Sequence, residues 1–293
     1  MRVKIVEVAP RDGLQNEKES LDFKDKAHFI KLLVEAGHKD IEVGAFVNPE
    51  KIPQMASSGQ VIGELQGIKR VNFWALVPNL KGYESATKSR VSQIAIFTAA
   101  SETFNQKNIN TSINGSFERF KEFVPHAKKN KIKIRGYVST CFGCPYEGKV
   151  NPKAVLKVTE RLLDMGVHEI SIGDTIGVAT PYQVRDLTKM LLKIMGPKKL
   201  ALHFHDTRGT ALANIVMGLE SGLSIFDSSS GGLGGCPYAP GAAGNVSTED
   251  LLYMLQGMGV RTGIDLNKQV AASLFIQEKL GHELSSRYLK SKY

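Results

Sequence analysis

The chain has 293 residues, of which 42% are hydrophobic and 23% are charged, a composition typical of globular proteins that excludes fibrous and disordered classes. It contains no run of about 18 apolar residues, so no membrane-spanning helix is expected. The net charge of +9 favours an anionic partner, and because the basic residues are spread along the chain, we expect a small acidic ligand rather than nucleic acid.

Eight short apolar runs predict β-strands, and most precede a pattern typical of an amphipathic helix. The predicted strands are 3–9, 39–44, 71–77, 92–99, 132–140, 168–173, 199–205 and 223–229. The predicted helices are 22–36, 53–66, 79–90, 113–130, 152–165, 180–195, 209–221 and 247–258. Ser247 or Thr248 can cap the last of these helices.

Repeated β–α units without a linker or a change of composition predict a single-domain (β/α)8 TIM barrel. We expect one catalytic domain over residues 1–293, with an extra helical segment at the C-terminal end. A doubly wound sheet is the alternative. The segment 10-PRDGLQN-16 argues against it, because no glycine fingerprint for a dinucleotide follows the first strand.

Four of the predicted strands contain or end in side chains that buried parallel strands normally lack. These are Glu7, Arg11 and Asp12 for the first strand, Asp40 and Glu42 for the second, Asp174 for the sixth, and His203 and His205 for the seventh. Strand side chains alternate between faces, so His203 and His205 share one face. They are either satisfied core histidines or metal ligands.

If a metal is bound, two imidazoles with carboxylate and amide oxygens favour Mg²⁺ or Mn²⁺ over a thiolate-rich zinc site. Such a cation would act as a Lewis acid on a substrate oxygen. Arg11, beside Asp12, is a fixed cation that could stabilise a developing enolate oxygen.

The segment 231–245 contains six glycines, two prolines, one thiol at Cys236 and a terminal Asn245. Glycine lets a backbone approach a ligand closely, and a thiol placed there could transfer a proton. The alternative is an ordinary small loop residue. Cys141 and Cys144 have redox-motif spacing but follow the fifth strand, so we interpret them as core or loop thiols. Three cysteines are too few for a disulfide framework.

These segments together resemble the 3-hydroxy-3-methylglutaryl-CoA lyase family, metal-dependent barrel enzymes that share an Arg-Asp motif after the first strand and have a pyruvate-carboxyltransferase-like domain. The most specific match is 231-GGLGGCPYAPGAAGN-245. Further matches, in order along the chain, are 7-EVAPRDGLQNE-17, 41-IEVGAFVNPEKIPQM-55, 107-KNIN-110, 135-RGYVST-140, 143-GCPYEGKV-150, 171-SIGDTIGVATP-181 and 202-LHFHDTRGTALANI-215.

The resemblance implies a divalent cation held by Asp12, His203, His205 and Asn245. It implies catalytic roles for five residues, namely Arg11 as the group that stabilises an enolate, Cys236 as an acid or base, and His203, Asp12 and Glu42 beside them. Substrate-binding or supporting roles would belong to Gln15, Asn108, Arg135, Asp174 and Glu249.

The family's reaction is the cleavage of (S)-3-hydroxy-3-methylglutaryl-CoA to acetoacetate and acetyl-CoA, in leucine degradation or ketone formation. His203 is the expected proton acceptor, with a carboxylate as the alternative, and closure of the loop that carries Cys236 would exclude water. The alternatives are a lyase for another 3-hydroxyacyl-CoA, an acyl-CoA condensing enzyme of the Claisen type, and a non-catalytic binding protein.

We expect an acyl-CoA substrate, whose phosphates would suit the net positive charge. No nucleic-acid or membrane partner is expected, and the protein is expected to form a homodimer or another homo-oligomer. The first residues enter a strand-like run without a targeting pattern, which predicts a cytoplasmic protein.

Overall fold

Eight parallel strands close into a barrel in which each strand pairs with its neighbours in chain order. The computed structural model describes residues 1–234 and 244–292. The strands are β1 (Lys4–Glu7), β2 (Asp40–Ala45), β3 (Asn72–Leu76), β4 (Gln93–Ala99), β5 (Lys133–Ser139), β6 (Glu169–Asp174), β7 (Leu200–Phe204) and β8 (Ile225–Ser228). All eight predicted strands are present, and the predicted TIM barrel is confirmed.

The helices surround this barrel and continue past its last strand. They are α1 (Phe23–Ala36), α2 (Ser58–Glu64), α3 (Leu80–Lys88), α4 (Glu102–Ile109), α5 (Ile113–Lys121), α6 (Val124–Lys129), α7 (Pro152–Asp164), α8 (Pro181–Leu191), α9 (Ala211–Glu220), α10 (Thr248–Gly257), α11 (Leu266–Leu280) and α12 (Arg287–Lys292). The last two form the C-terminal segment. No helix of the described ranges is long and apolar enough to cross a membrane.

Two helix predictions differ from the structure, and one helix was not predicted. The helix predicted at 113–130 is two helices, α5 and α6, because Pro125 lies in the first turn of α6, where a proline starts a helix rather than continues one. The helix predicted at 53–66 begins as a 3-10 turn at Pro53–Met55. The unpredicted helix is α4, which Ser101 caps.

Local capping explains where several helices begin and end. Asp22 accepts a hydrogen bond from the backbone of Lys24 at the start of α1, and Gly37, with φ of 111°, ends it. Ser247 caps α10 by accepting from the backbone of Asp250, as one of the two predicted caps. These caps set the position at which each chain segment returns to the barrel.

The apolar core lies between the outer face of the barrel and the surrounding helices. The methyl groups of Leu202 and the ring of Phe226 lie against Gly218 of α9, and Leu162 of α7 lies against Gly136 of β5. Because strand side chains alternate, the residues next to these along each strand point into the barrel.

The interior of the barrel is largely polar. A small apolar cluster of Val6, Val8, Ala201 and Ile225 is separate from the main core. Beside it lie the charged side chains Lys4, Asp40, Glu42, Arg135, Glu169 and Asp227. Because an unpaired buried charge costs several kcal/mol, each needs an opposite charge, and the ion pairs supply it.

Candidate metal and substrate site

The Arg-Asp motif lies on a wide turn that directly follows β1. The backbone amides of Arg11, Asp12 and Gly13 all point to the carbonyl oxygen of Val8, at 3.1, 2.8 and 3.3 Å. This turn, Ala9–Gly13, ends the strand and places both side chains at the carboxyl end of the barrel. In such barrels this is the end at which active sites are built.

Arg11 joins two carboxylates at this rim. Its Nη1 lies 2.5 Å from Asp12 Oδ1, and its Nε and Nη2 lie 2.8 and 2.6 Å from Glu42 Oε2. Glu42 is completely buried and also accepts a hydrogen bond from Tyr137 at 3.1 Å. Gln15 donates to Asp12 Oδ1 at 3.1 Å, so four of the predicted site residues form one connected group.

Asp12, His203 and His205 form the group of possible metal ligands that the described residues contain, with one ligand atom from each lying within 4.8 Å of the others. His203 is the fourth residue of β7, and His205 follows the strand on the same face. The sharing of a face by the two histidines, predicted from alternation, explains why both rings reach Asp12.

Asn245 reaches this group through backbone pairing. The segment after the undescribed residues pairs with the end of β7, through Asp206 N to Gly244 O at 2.8 Å and Val246 N to Phe204 O at 3.0 Å. Asn245 then donates its Nδ2 to Asp12 Oδ2 at 2.9 Å and to the Leu233 carbonyl at 3.0 Å.

The protonation of these groups favours cation binding. Burial by itself would raise the pKa of Asp12, but Arg11 and the two histidines outweigh burial and hold it at about 2. Burial, followed by the neighbouring His203, lowers the pKa of His205 to about 4. At neutral pH Asp12 is therefore an anion and His205 is a neutral ring with a free lone pair.

Two buried atoms that lack hydrogen-bond partners show whether a cation would fit this group. Asn245 Oδ1 and His205 Nδ1 are buried and have no hydrogen-bond partner among the described residues. A buried polar atom without a partner is costly, and both atoms belong to residues around Asp12. Oxygen and imidazole donors suit a hard or borderline divalent cation. The residues present therefore fit a divalent cation.

His203 is held from behind by a residue that the sequence analysis did not single out. Its Nδ1 lies 3.2 Å from Asp227 Oδ2, and its Nε2 lies 3.9 Å from Asp12 Oδ2. Asp227 is a carboxylate in the predicted eighth strand. The test that selected Glu42 and His203, a polar residue in a strand that should be apolar, could have found it.

Arg135 lies in the barrel interior and is completely buried. It pairs with Asp227 at 2.6 Å and with Glu169 at 2.8 Å, and donates to the hydroxyl of Tyr137 at 2.6 Å. It is absent from the described lining of the neighbouring cavity, whereas Tyr137 lines it. Arg135 thus lies below the site and can act on it only through these partners.

A cavity of about 500 Å³ opens from the ligand group. Its inner part is lined by Arg11, Asp12, Tyr137, His203 and His205. Its outer part is lined by Asn108 together with Lys51, Lys107 and Arg119, and apolar side chains such as Leu76 and Phe97 also contribute. The cavity therefore combines a metal-binding end with a basic region.

Asp174 and Glu249 are buried outside the described lining of this cavity. Alternation along β6 puts Ser171, which contacts Asp227, on the inner face and Asp174 on the outer face. Asp174 accepts from the backbone amides of Val178 and Ala179, both at 2.9 Å, and burial raises its pKa to about 6. It fixes the chain that follows β6.

Glu249 and Glu7 fix the chain on either side of the glycine-rich segment. Glu249 accepts from the backbone of Gly231 at 2.8 Å and from Ser247 at 2.7 Å. Glu7 accepts from the backbone of Ser230 at 3.0 Å and from Thr248 at 2.8 Å. The sequence analysis grouped Glu7 with Arg11 and Asp12 of the first strand, but Glu7 lies on the outer face of β1.

The prediction for Cys236 lies outside the described residues. Cys141 and Cys144 are buried free thiols. The Cys141 thiol lies 3.0 Å from the Val138 carbonyl, and burial raises its pKa well above the ordinary value. Cys144 lies 3.0 Å from the Ser101 hydroxyl. Both have the surroundings of structural thiols, as the sequence analysis expected.

The fold and the site together define a barrel with a candidate divalent-metal centre at its carboxyl end. The HMGL-like family model matches residues 2–276, and the chain belongs to this family. It is 49% identical over 286 residues to the human protein named hydroxymethylglutaryl-CoA lyase, mitochondrial, covering 98% of this chain and 88% of that relative.

A bacterial relative and two solved structures agree with this assignment. The chain is 47% identical over 290 residues to the Pseudomonas aeruginosa 3-hydroxy-3-isohexenylglutaryl-CoA/hydroxy-methylglutaryl-CoA lyase, covering 99% of this chain and 97% of the relative. A crystal structure of hydroxymethylglutaryl-CoA lyase from P. aeruginosa matches with a TM-score of 0.97 at 47% identity, over 99% and 97% of the two chains. An Acinetobacter baumannii HMG-CoA lyase in complex with coenzyme A and 3-methylmalate matches with a TM-score of 0.95 at 37% identity, over 99% and 95%.

Proposed function

We propose that this protein is a carbon–carbon lyase that cleaves (S)-3-hydroxy-3-methylglutaryl-CoA to acetoacetate and acetyl-CoA. The observation that carries the proposal is the group of Asp12, His203 and His205 in the lining of a cavity, with the Arg11 guanidinium bonded to Asp12. Membership of the HMGL-like family and relatives with this activity in their names support it. Residues 1–293 would act as one catalytic domain, in leucine degradation or ketone formation.

The proposed cofactor is Mg²⁺ or Mn²⁺, held by Asp12, His203, His205 and Asn245. When bound, the cation would supply Lewis acidity toward the substrate's hydroxyl and carboxylate oxygens. Asp12 contributes the negative charge, Asn245 Oδ1 is a buried acceptor without a partner, and His205 Nδ1 is a buried ring nitrogen without a partner among the described residues. Gln15 and Asn245 each donate to Asp12 and so orient its two oxygens.

The neutral ring of His203 carries a hydrogen on one nitrogen and an available lone pair on the other. If Nδ1 donates to Asp227, only Nε2 remains as an acceptor. That atom can bind a cation or receive the proton of the substrate's hydroxyl, but not both at once. We assign it the ligand role and give the proton to a carboxylate, the alternative that the sequence left open. Asp12 is the carboxylate of the described cavity lining, and its Oδ2 lies 3.9 Å from this nitrogen.

Arg11 is proposed to stabilise the enolate of the departing acetyl-CoA. Its guanidinium is fixed by Asp12 and Glu42, and the side chain lines the cavity. A preorganised cation of this kind stabilises charge that develops during a reaction without having to reorganise. Glu42 is buried behind Arg11, and its role is therefore to hold Arg11 in place.

Cys236 is proposed to give a proton to the enolate carbon. The support comes from the residues that flank the undescribed segment. Leu233 on one side and Asn245 on the other are joined by a hydrogen bond of 3.0 Å, and Asn245 also contacts Asp12. Asn108 and the basic side chains of the outer cavity are proposed to arrange the acyl-CoA substrate.

The test is an assay of acetoacetate and acetyl-CoA release by the purified protein with Mg²⁺ or Mn²⁺. We expect cleavage of hydroxymethylglutaryl-CoA that EDTA abolishes and added cation restores. A preparation shown to bind metal that releases no acetoacetate would rule out this substrate.

The assignment of Cys236 is tested by Cys236→Ser with Cys144→Ser as the matched control. Loss of a positioned proton-transfer group should lower turnover at least about 100-fold while leaving metal affinity unchanged. The control also replaces a thiol by a hydroxyl, but at a buried position outside the described cavity lining, and should stay close to wild type. Near-normal turnover of Cys236→Ser would remove the thiol from the chemistry.

A second candidate is cleavage of a 3-hydroxyacyl-CoA with a longer substituent at C3. The apolar cavity residues Val47, Leu76, Phe97 and Val138 offer a surface for such a group, and the P. aeruginosa relative carries an isohexenyl substrate in its name. Comparing kcat/KM for the methyl and isohexenyl substrates distinguishes the two. The proposal further includes a cytoplasmic location and a homo-oligomeric state, which cell fractionation and analytical ultracentrifugation would test.

A further inference from the structure

The carboxylate of Asp227 controls which nitrogen of His203 can carry a proton. Asp227 Oδ2 lies 3.2 Å from His203 Nδ1. An ionised carboxylate only accepts hydrogen bonds, so the contact is favourable when Nδ1 carries the hydrogen. The lone pair of the neutral ring is then on Nε2, the nitrogen that faces Asp12 at 3.9 Å.

Asp227 is itself held rigidly. Arg135 donates Nη2 to Asp227 Oδ1 at 2.6 Å and Nη1 to Oδ2 at 3.2 Å, and Ser171 donates to Oδ2 at 2.9 Å. Asp227 and Arg135 are almost completely buried. The two guanidinium donors compensate the negative charge of this buried carboxylate. The carboxylate therefore stays ionised and cannot turn away from His203.

If Asp227 served only to balance the charge of Arg135, its contact with His203 would be unexplained. Arg135 has a second carboxylate partner, Glu169, at 2.8 Å, and that carboxylate pairs with Lys4 at 2.7 Å. Of these two carboxylates, only Asp227 contacts a histidine of the ligand group among the described residues. His205, by contrast, has no hydrogen-bond partner at Nδ1 among the described residues.

We infer that Asp227 is a positioning residue that fixes the tautomer and the orientation of the His203 ring, and that Arg135 and Ser171 hold Asp227 in the position this requires. The inference rests on the proposed function in one respect, namely that the lone pair of Nε2 binds a metal ion. It gives Arg135 a defined effect on the site from its buried position below the cavity.

The first experiment measures the tautomer directly in the wild-type, metal-free protein. The chain has seven histidines, so ¹⁵N-histidine labelling gives a small set of signals, and His203→Gln identifies the one from His203. At alkaline pH we expect a neutral ring with the proton on Nδ1 and the lone pair on Nε2. A ring with its proton on Nε2 would overturn the inference.

The second experiment compares Asp227→Asn with Glu169→Gln. Each variant removes one carboxylate partner of the buried Arg135, but only the first removes the charge beside His203. The amide offers Nδ1 either a neutral oxygen or an N–H, so the preference for a proton on Nδ1 falls in either orientation. We expect Asp227→Asn to weaken Mn²⁺ binding about 10- to 100-fold, as measured by calorimetry without substrate.

Glu169→Gln should bind Mn²⁺ as tightly as wild type. Equal Mn²⁺ affinity of Asp227→Asn and wild type would refute the positioning role, and so would an equal loss in both variants, because that outcome assigns the effect to Arg135 alone. If Asp227→Asn does not fold, the tautomer of His203 in the wild-type protein still tests the inference. A wild-type protein that shows the expected tautomer but binds no Mn²⁺ would refute the proposed metal site and leave the positioning of His203 standing.

Discussion

Replacing Arg11 by methionine separates its structural role from its proposed catalytic role. Arg11 lies between Asp12 and the completely buried Glu42, with three contacts of 2.5 to 2.8 Å. Its removal leaves Glu42 with the Tyr137 hydroxyl, at 3.1 Å, as its hydrogen-bond partner. Removing one member of a buried ion pair costs about 3–5 kcal/mol, because the remaining charge is uncompensated. We expect Arg11→Met to lower the free energy of unfolding by this amount.

The double variant Arg11→Met/Glu42→Gln tests the cause of that loss. Glutamine removes the uncompensated charge, so most of the lost stability should return. Turnover should not return, because no cation remains to stabilise the enolate, and a loss of about 100- to 1,000-fold is expected in both variants. Urea unfolding in EDTA measures stability without metal, and acetoacetate release measures turnover. Arg185→Met, which breaks an exposed pair with Asp186, is the control and should change stability by at most about 1 kcal/mol.

Two results would refute this reasoning. If the double variant is no more stable than Arg11→Met, uncompensated charge on Glu42 is not the source of the destabilisation. If the double variant regains turnover, Arg11 does not stabilise the developing negative charge, and its function is limited to balancing Glu42. Recovery of stability without recovery of turnover is the outcome that supports both roles.

Two further predictions concern other parts of the site and its support. Burial lowers the pKa of His38 from 6.5 to about 4. Between these two values the unfolded chain binds more protons than the folded one, so the contribution of His38 to stability is lost as the pH is lowered. Burial raises the pKa of Asp174 to about 6 and that of Glu7 to about 7, and these two groups change stability in the opposite sense over this range. Urea unfolding should therefore show the wild type losing roughly 2 kcal/mol more than His38→Gln between about pH 7 and about pH 5. The exposed-site control His126→Gln should follow the wild type, and the same pH dependence in wild type and His38→Gln would contradict the assignment. Gly234→Ala would place a Cβ 2.5 Å from Asn245 Nδ2, whereas Gly222→Ala, also at positive φ, meets nothing within 4 Å. Calorimetry should therefore show weaker Mn²⁺ binding in Gly234→Ala alone, and equal affinities would count against Asn245 as a ligand.

Much of the architecture could be predicted because the signals are local. Eight apolar runs separated by amphipathic helices correspond to the eight strands observed, since burial on both faces demands continuous apolar sequence. The boundary between α5 and α6 and the existence of α4 were missed. Pro125 and the capping Ser101 mark the starts of α6 and α4, but hydrophobic periodicity by itself does not specify where one helix ends and the next begins.

The candidate site was predicted in part for a similar reason. Charged or histidine side chains in buried strands are costly without partners, so Asp12, Glu42, His203 and His205 were visible in the sequence. The same rule applied to the eighth strand would have revealed Asp227. The rule does not tell which face of the barrel a polar residue occupies.

The sequence by itself determined the succession of eight strands, a cap at Ser247 or Thr248 for the helix that is α10, and the sharing of one strand face by His203 and His205. These follow from alternation and capping within a few neighbouring residues. Only the tertiary structure decided that Asp174 and Glu7 lie on the outer face while Asp227 and Arg135, 92 positions apart in the chain, meet inside. Closure of the barrel and the register of its strands set that meeting, because they bring together residues whose separation along the chain carries no information about distance.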